Sequence, residues 1–139
     1  MSDLETRYQQ TLAYLYSFVD FSLKHSVDLK PEQFDLGRMQ ALVDALGNPQ
    51  ARFLSIHVAG TKGKGSVSAL CASALQTQGY RVGLYTSPHL QDFRERFRIN
   101  GEMIPKETLA VLVEEMQPAV AAVPELTLFE LATMLAFRY

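Results

Sequence analysis

The sequence predicts an α/β fold built on a doubly wound, mainly parallel sheet, and three observations carry that expectation. An apolar run, Phe53-Leu-Ser-Ile-His-Val58, empties into the glycine-rich loop Ala59-Gly-Thr-Lys-Gly-Lys-Gly-Ser66. Val67, Leu70, Cys71, Ala74 and Leu75 then recur at helical spacing. After Gly79, Val82-Gly-Leu-Tyr-Thr86 reads as a second buried strand, which gives a β-loop-α-β unit whose two strands should be parallel. Together these describe the first part of a P-loop NTPase-like domain.

Taken in order, the chain opens on an amphipathic helix over 3–19, with Leu4, Tyr8, Leu12, Leu15 and Phe18 or Val19 at intervals of three and four and Ser2-x-x-Glu5 as a capping box. The polar stretch from His25 to Phe34, containing Pro31, reads as a loop. Asp35 then leads into a second helix with Met39, Leu42, Val43 and Leu46, closed by Gly47 and Pro49. The run from Phe53 to Val58 has the composition of a strand buried on both faces.

Beyond the β-loop-α-β unit, Phe93-Arg-Glu-Arg-Phe-Arg-Ile99 alternates as a half-buried strand does, which would put Arg94, Arg96 and Arg98 on one face. That face is either solvated or a site for phosphate or carboxylate. Asn100-Gly101 supplies a hairpin turn, and Met103 and Ile104 lie on the return strand. Pro105 starts a helix with Leu109, Leu112, Val113 and Met116, whose continuation Pro118 and Pro124 limit. Thr127-Leu-Phe-Glu130 opens a last helix.

Two parallel strands and a hairpin do not complete a doubly wound sheet. Residues 1–139 are therefore expected to be the front part of something longer: a helical lead-in over 1–50, the β-loop-α-β unit over 53–86, a hairpin over 93–104 and helices over 105–139.

The chemistry is expected at the loop. Gly60, Gly63 and Gly65 let the backbone fold tightly and turn its N–H groups inward. The loop ends on a helix N-terminus, where free N–H groups and the positive end of the helix dipole meet. Lys64 adds a charge for the outer phosphates of a nucleotide, and the Ser66 hydroxyl can reach a magnesium ion. The strict pattern G-x-x-x-x-G-K-[ST] is not kept: Val58 stands at the first glycine position, Gly65 follows the lysine and Ser66 comes one place late. The alternative is a glycine-rich turn with a solvated lysine.

The second strand should end beside this loop, and it runs into Thr86-Ser-Pro-His89. Ligands of open α/β sheets bind at the carboxyl ends of the strands. Ser87 is thus a candidate second hydroxyl near the phosphates or their metal, against a simple polar turn residue before proline.

Bulk properties exclude some classes. A formal charge of −2 and a pI near 5.9 argue against a general polyanion binder, hence against nucleic acid as partner. The single cysteine, Cys71, lies on an apolar stripe and reads as core filling rather than a catalytic thiol. No apolar run approaches the roughly 20 residues that cross a bilayer, and no signal peptide is evident, so a cytoplasmic protein is expected.

Three stretches carry a resemblance: His57-Val-Ala-Gly-Thr-Lys-Gly-Lys-Gly-Ser66, Gly83-Leu-Tyr-Thr-Ser-Pro-His-Leu90 and Arg94-Glu-Arg-Phe-Arg-Ile-Asn-Gly101. Together they resemble folylpolyglutamate synthase, including its bifunctional dihydrofolate synthase forms, within the Mur ligase superfamily. The resemblance covers essentially the whole chain, from the Tyr14-Leu-Tyr-Ser-Phe18 helix to Phe129-Glu130.

The resemblance implies an ATP-dependent ligase that joins L-glutamate to the γ-carboxylate of a folate, or to dihydropteroate in bifunctional members, through an acyl phosphate. It implies ATP and Mg2+, a monomer, and no membrane partner. Gly60, Thr61, Lys62, Gly63, Lys64, Gly65 and Ser66 match the ATP-binding loop, with Lys64 in the catalytic role. Ser87 matches a magnesium-ligating serine, and Ser66 assists. Thr127, Leu128, Phe129 and Glu130 match a substrate-lining segment, as do Phe34, Asp35 and Leu36. Thr127-x-x-Glu130 is also a capping box, and both roles are compatible. The family's remaining metal ligands and its glutamate-receiving domain would fall beyond Tyr139, so residues 1–139 alone are expected to be inactive. The rival readings are a non-catalytic nucleotide-binding module and a Mur-type peptide ligase of cell-wall precursors.

Overall fold

The structure, a computed structural model, describes residues 3–18 and 36–139. Four helices form the main packed layer: α1 (Asp3–Tyr16), α2 (Leu36–Ala45), α4 (Lys106–Ala121) and α5 (Leu128–Arg138). Helix α3 (Lys64–Thr77) follows the glycine-rich loop and lies against a small sheet of β1 (Gly83–Tyr85), β2 (Phe97–Ile99) and β3 (Glu102–Met103). The predicted loop over 25–34 and the Ser2 cap lie outside the described residues.

Helix α1 buries Tyr8, Thr11 and Leu15, a stripe at intervals of three and four that faces α4. Helix α4 answers with Leu109, Val113, Met116 and Val120, and α5 with Leu128, Leu131, Met134 and Leu135. Completely burying one such leucine is worth roughly 1.5–3 kcal/mol, so this interface dominates the core. Two ion pairs fasten the rim between α1 and α4, Arg7–Glu114 at 2.5 Å and Glu5–Lys106 at 2.6 Å.

Helix α4 continues through Pro118 to Ala121, past the first of the two prolines expected to limit it. An interior proline costs about 3 kcal/mol, but Met116 and Val120 on either side of it are buried in the core and hold the helix in register.

The apolar run from Phe53 does not form a strand. Residues 54–60 have no regular structure, and Leu54 and Ile56 are exposed at 102% and 67%. A doubly buried parallel strand needs neighbours on its edges and faces, and none pairs with this run among the described residues. The stripe on α3 is likewise open: Val67 and Leu70 are exposed, Cys71 is half-buried, and only Ala72 is buried.

The sheet is antiparallel throughout. Gly83 faces Ile99, Leu84 faces Arg98 and Tyr85 faces Phe97, while Arg98 and Ile99 pair with Met103 and Glu102 across the Asn100-Gly101 turn. A hairpin is present at the Asn100-Gly101 turn, with strands shorter than the 93–104 expected, and β1 pairs with its first strand. Backbone bonds from Asn100 N to Val82 O (2.9 Å) and from Thr86 N to Arg96 O (3.1 Å) extend the ladder at both ends.

Arg94, Arg96 and Arg98 do not share a face. Residues Phe93–Arg96 wind into a 3-10 turn closed by an Asp92–Glu95 capping box. The Glu95 carboxylate accepts from the backbone N–H groups of Leu90, Gln91 and Asp92 at 2.8–3.0 Å, and these local acceptors displace the strand that alternation suggested. Those three donors hold the Glu95 carboxyl down at about 2.

Candidate functional site

Gly63, with φ +76°, is the N-cap of α3 and needs the left-handed conformation that glycine adopts without penalty. No side chain caps this end. The first intrahelical bond is Val67 N to Gly63 O at 3.0 Å, so the N–H groups ahead of it have no partner within the helix. Gly65 serves differently from expectation: it lies within the first helical turn, where a Cβ would meet nothing within 4 Å.

Lys64 occupies the first helical position. Its ammonium donates to Gly60 O at 2.6 Å and Thr61 O at 3.5 Å, so it is folded over the concave side of the loop. Gly60, Thr61, Lys62, Gly63, Lys64, Gly65 and Ser66 are all exposed. An uncapped helix end bearing a lysine and a hydroxyl is the donor set an anion requires, and the loop fits a nucleotide phosphate on that ground.

Ser87 is exposed on the turn that leaves β1, and its bond to Pro88 is cis. Arg96, only 5% exposed, donates from Nε to His89 Nδ1 at 2.9 Å and stacks its guanidinium over the Phe93 ring at 5.1 Å. Because arginine only donates, Nδ1 is the acceptor of His89, and Nε2 carries the hydrogen that faces the Tyr16 hydroxyl at 3.4 Å. His89 and Tyr16 also meet the Phe93 ring edge-on, at 5.5 and 5.8 Å. The end of α1 is thereby fastened to the turn that bears Ser87.

A second fastening lies about two turns away on α1. The Tyr8 hydroxyl donates to Asp92 Oδ1 at 2.7 Å, and Arg94 grips the same carboxylate through Nε and NH2, the latter at 2.7 Å. Burial pushes the Asp92 carboxyl up, but hydrogen bonds from Arg94 and Tyr8 outweigh it and hold the group well below the usual range. Burial, reinforced by the Asp92 charge, raises the Tyr8 phenol.

At the other end of the fold, Thr127 caps α5. Glu130 N donates to Thr127 Oγ1 at 3.2 Å and Thr127 N donates to Glu130 Oε2 at 2.8 Å, the predicted capping box. Thr127 is buried at 7% and Leu128 at 2%, so both side chains belong to the interior; Phe129, at 56%, presents its ring to solvent. Arg38 of α2 reaches Glu130, which brings the start of α2 beside the start of α5. Leu36, the first residue of α2, is 80% exposed. Phe34 and Asp35 lie outside the described residues.

Sequence reasoning missed Arg38, Arg96, His89 and Asp92 as organisers of these sites. The signal for Asp92 was present, since Asp-x-x-Glu is a cap. None marked Arg96 as buried.

No established family profile matches the chain. Comparison with curated proteins finds relatives that match most of the chain. A dihydrofolate synthase/folylpolyglutamate synthase of Bacillus subtilis is 38% identical over 139 residues, covering 96% of this chain and 30% of that protein. Its homologues are folylpolyglutamate and dihydrofolate synthases.

Solved synthases agree in fold. Folylpolyglutamate synthase from Thermotoga maritima matches with a TM-score of 0.82 and 38% identity, over 96% of this chain and 30% of that one. An FPGS–AMPPCP–folate complex matches with a TM-score of 0.80 and 38% identity, over 94% and 31%. The chain thus spans about 30% of the length of the synthases it matches, and the mixed helix-and-sheet fold fits the N-terminal part of the Mur ligase architecture expected from sequence. Among the described residues, no helix is long and apolar enough to cross a membrane.

Proposed function

We propose that this chain supplies the phosphate-binding loop and part of the substrate wall of an ATP-dependent ligase that adds L-glutamate to the γ-carboxylate of a folate. Dihydropteroate is a second acceptor on this reading. The observation that carries it is the uncapped N-terminus of α3 with Lys64 folded over the loop, in a chain whose homologues are synthases of this kind.

A carboxylate resists attack by an amine until one of its oxygens becomes a leaving group. In the proposed reaction a folate carboxylate oxygen attacks the γ-phosphorus of ATP, and the bond to the bridging oxygen breaks to release ADP. The glutamate amine then attacks the acyl carbon, phosphate leaves, and the amine gives up its proton. Residues 60–66 do the positioning and charge neutralisation that such a transfer needs. Lys64 leaves the Gly60 carbonyl for the outer phosphates, and the N–H groups at the start of α3 hold the inner ones.

Mg2+ would supply further neutralisation of the phosphates, and the hydroxyls of Ser87 and Ser66 would hold it. Among the described residues no three His, Cys, Asp or Glu side chains gather. Hydroxyl ligands suit a cation that keeps several waters and shares the nucleotide phosphates. The exposed Phe129 ring would be the substrate-facing member of the Thr127–Glu130 segment, with Thr127 and Leu128 supporting it from inside, and the exposed Leu36 at the start of α2 would be a second substrate-facing side chain.

The test is a ligation assay on the full-length protein with radiolabelled glutamate, ATP and tetrahydrofolate. The reading expects ATP-dependent incorporation with one ADP released per glutamate, and none from residues 1–139 alone. ATP binding that is indifferent to folate, with no phosphate release, would favour the non-catalytic module instead. Incorporation only with a nucleotide-linked peptide acceptor would favour the cell-wall ligase.

A further inference from the structure

Arg96 is a buried cation for which no carboxylate partner lies within ion-pairing distance among the described residues. Burying a charge is costly unless something compensates, so a guanidinium at 5% exposure calls for an explanation beyond packing. Its compensation comes from the Phe93 ring beneath it and from His89.

Its bonds have a particular arrangement. The Arg96 carbonyl accepts from Thr86 N at 3.1 Å, and its side-chain Nε donates to His89 Nδ1 at 2.9 Å. Thr86 precedes Ser87 and His89 follows Pro88. One residue therefore grips the turn on both sides of Ser87, through two different groups, and leaves the Ser87 hydroxyl itself exposed. The Phe93 ring is the common floor, since Arg96, His89 and Tyr16 all pack on it.

We propose that Arg96 is a positioning residue which, by bracketing Thr86 and His89, fixes the Ser87 hydroxyl in the place from which it ligates the nucleotide-bound cation. The assignment rests on the metal-ligand reading of Ser87. It separates two roles inside one arginine-rich run: Arg94 serves the Asp92 clamp, whereas Arg96 serves the turn.

The experiment measures the affinity of full-length protein for AMPPCP by calorimetry with and without Mn2+, in wild type and in Arg96→Gln, His89→Ala and Ser87→Ala. Metal-free affinity, which reads the loop at α3, should stay within about twofold in Arg96→Gln and His89→Ala. The gain conferred by Mn2+ should fall roughly tenfold or more in Arg96→Gln and His89→Ala, as is typical when a group supporting a ligand is removed. Arg96→Gln combined with Ser87→Ala should be no worse than Ser87→Ala alone, because the two act through one hydroxyl. His89→Ala keeps the buried arginine and decides the matter if Arg96→Gln does not fold.

A normal Mn2+ gain in folded Arg96→Gln or in His89→Ala, alongside a lost gain in Ser87→Ala, would overturn the positioning role alone. A normal gain in all three would overturn both it and the reading of Ser87. Losses that multiply in the double variant would also overturn it.

Discussion

Arg38 of α2 and Glu130 of α5 meet at 3.4 Å, Nε to Oε1, with side chains only 16% and 13% exposed. Ninety-two positions separate them in sequence. The same Glu130 carboxylate closes the capping box on Thr127, so one group both starts α5 and docks α2 against it. The pair brings the start of α2, which begins at Leu36, beside the Thr127–Glu130 cap of α5.

Glu130→Ala should therefore have a double effect. Loss of the Glu130 half of the capping box should destabilise the protein, with more from stranding the Arg38 charge, and the KM for folate should rise while metal-free nucleotide affinity holds. Thermal melts and steady-state kinetics on the full-length protein check both. An unchanged folate KM in a variant with a lowered melting temperature would confine Glu130 to a structural role.

Glu95 makes a pH prediction. Its carboxyl is held at about 2 against an ordinary value of 4.5 by three backbone donors. A depressed carboxyl contributes stability that is fully present above 4.5 and lost as the pH falls toward 2. The turn after Ser87 should accordingly loosen in acid, and Glu95→Gln should flatten the loss of stability across that window. Denaturant melts between pH 5 and pH 2 measure it; parallel curves for the two proteins would contradict the assignment.

The Gly63 prediction is about backbone. At φ +76° a side chain is strained even though a Cβ there would touch nothing, and the left-handed conformation costs roughly 1–2 kcal/mol in a residue with a Cβ. Gly63→Ala should lower stability by about that amount and weaken AMPPCP binding. Gly65→Ala, inside the helix, should not lower stability; equal stability losses in the two variants would show that the turn is not where the strain lies.

The parts of the fold legible in the sequence are those decided locally. Gly79, with φ +85°, ends α3 where the sequence placed it, with Tyr80 N donating back to Leu75 O and Gly79 N to Gln76 O. Pro105 starts α4 and Thr127 caps α5 for equally local reasons. What was misjudged depended on partners. The run from Phe53 has the composition of a strand, but a strand is a relation between chains of backbone, and nothing described pairs with it. Alternation from Phe93 to Ile99 put the three arginines on one face, yet Asp92 and Glu95 bent the backbone first. The burial of Arg96 follows from where Phe93 and His89 meet in space, which no spacing records.

The central claim is that the loop ahead of α3 binds the phosphates of ATP through Lys64 and the free N–H groups of the helix. Lys64 is exposed, and among the described residues its ammonium bonds only to the carbonyls of Gly60 and Thr61, so Lys64→Ala should fold normally. The most direct measurement is calorimetric titration of AMPPCP into the full-length protein and into Lys64→Ala. Clear binding by the first, with affinity lowered roughly tenfold or more in the second as one outer-phosphate contact is lost, is the predicted result. Equal affinity in both proteins, at equal stability, would contradict it.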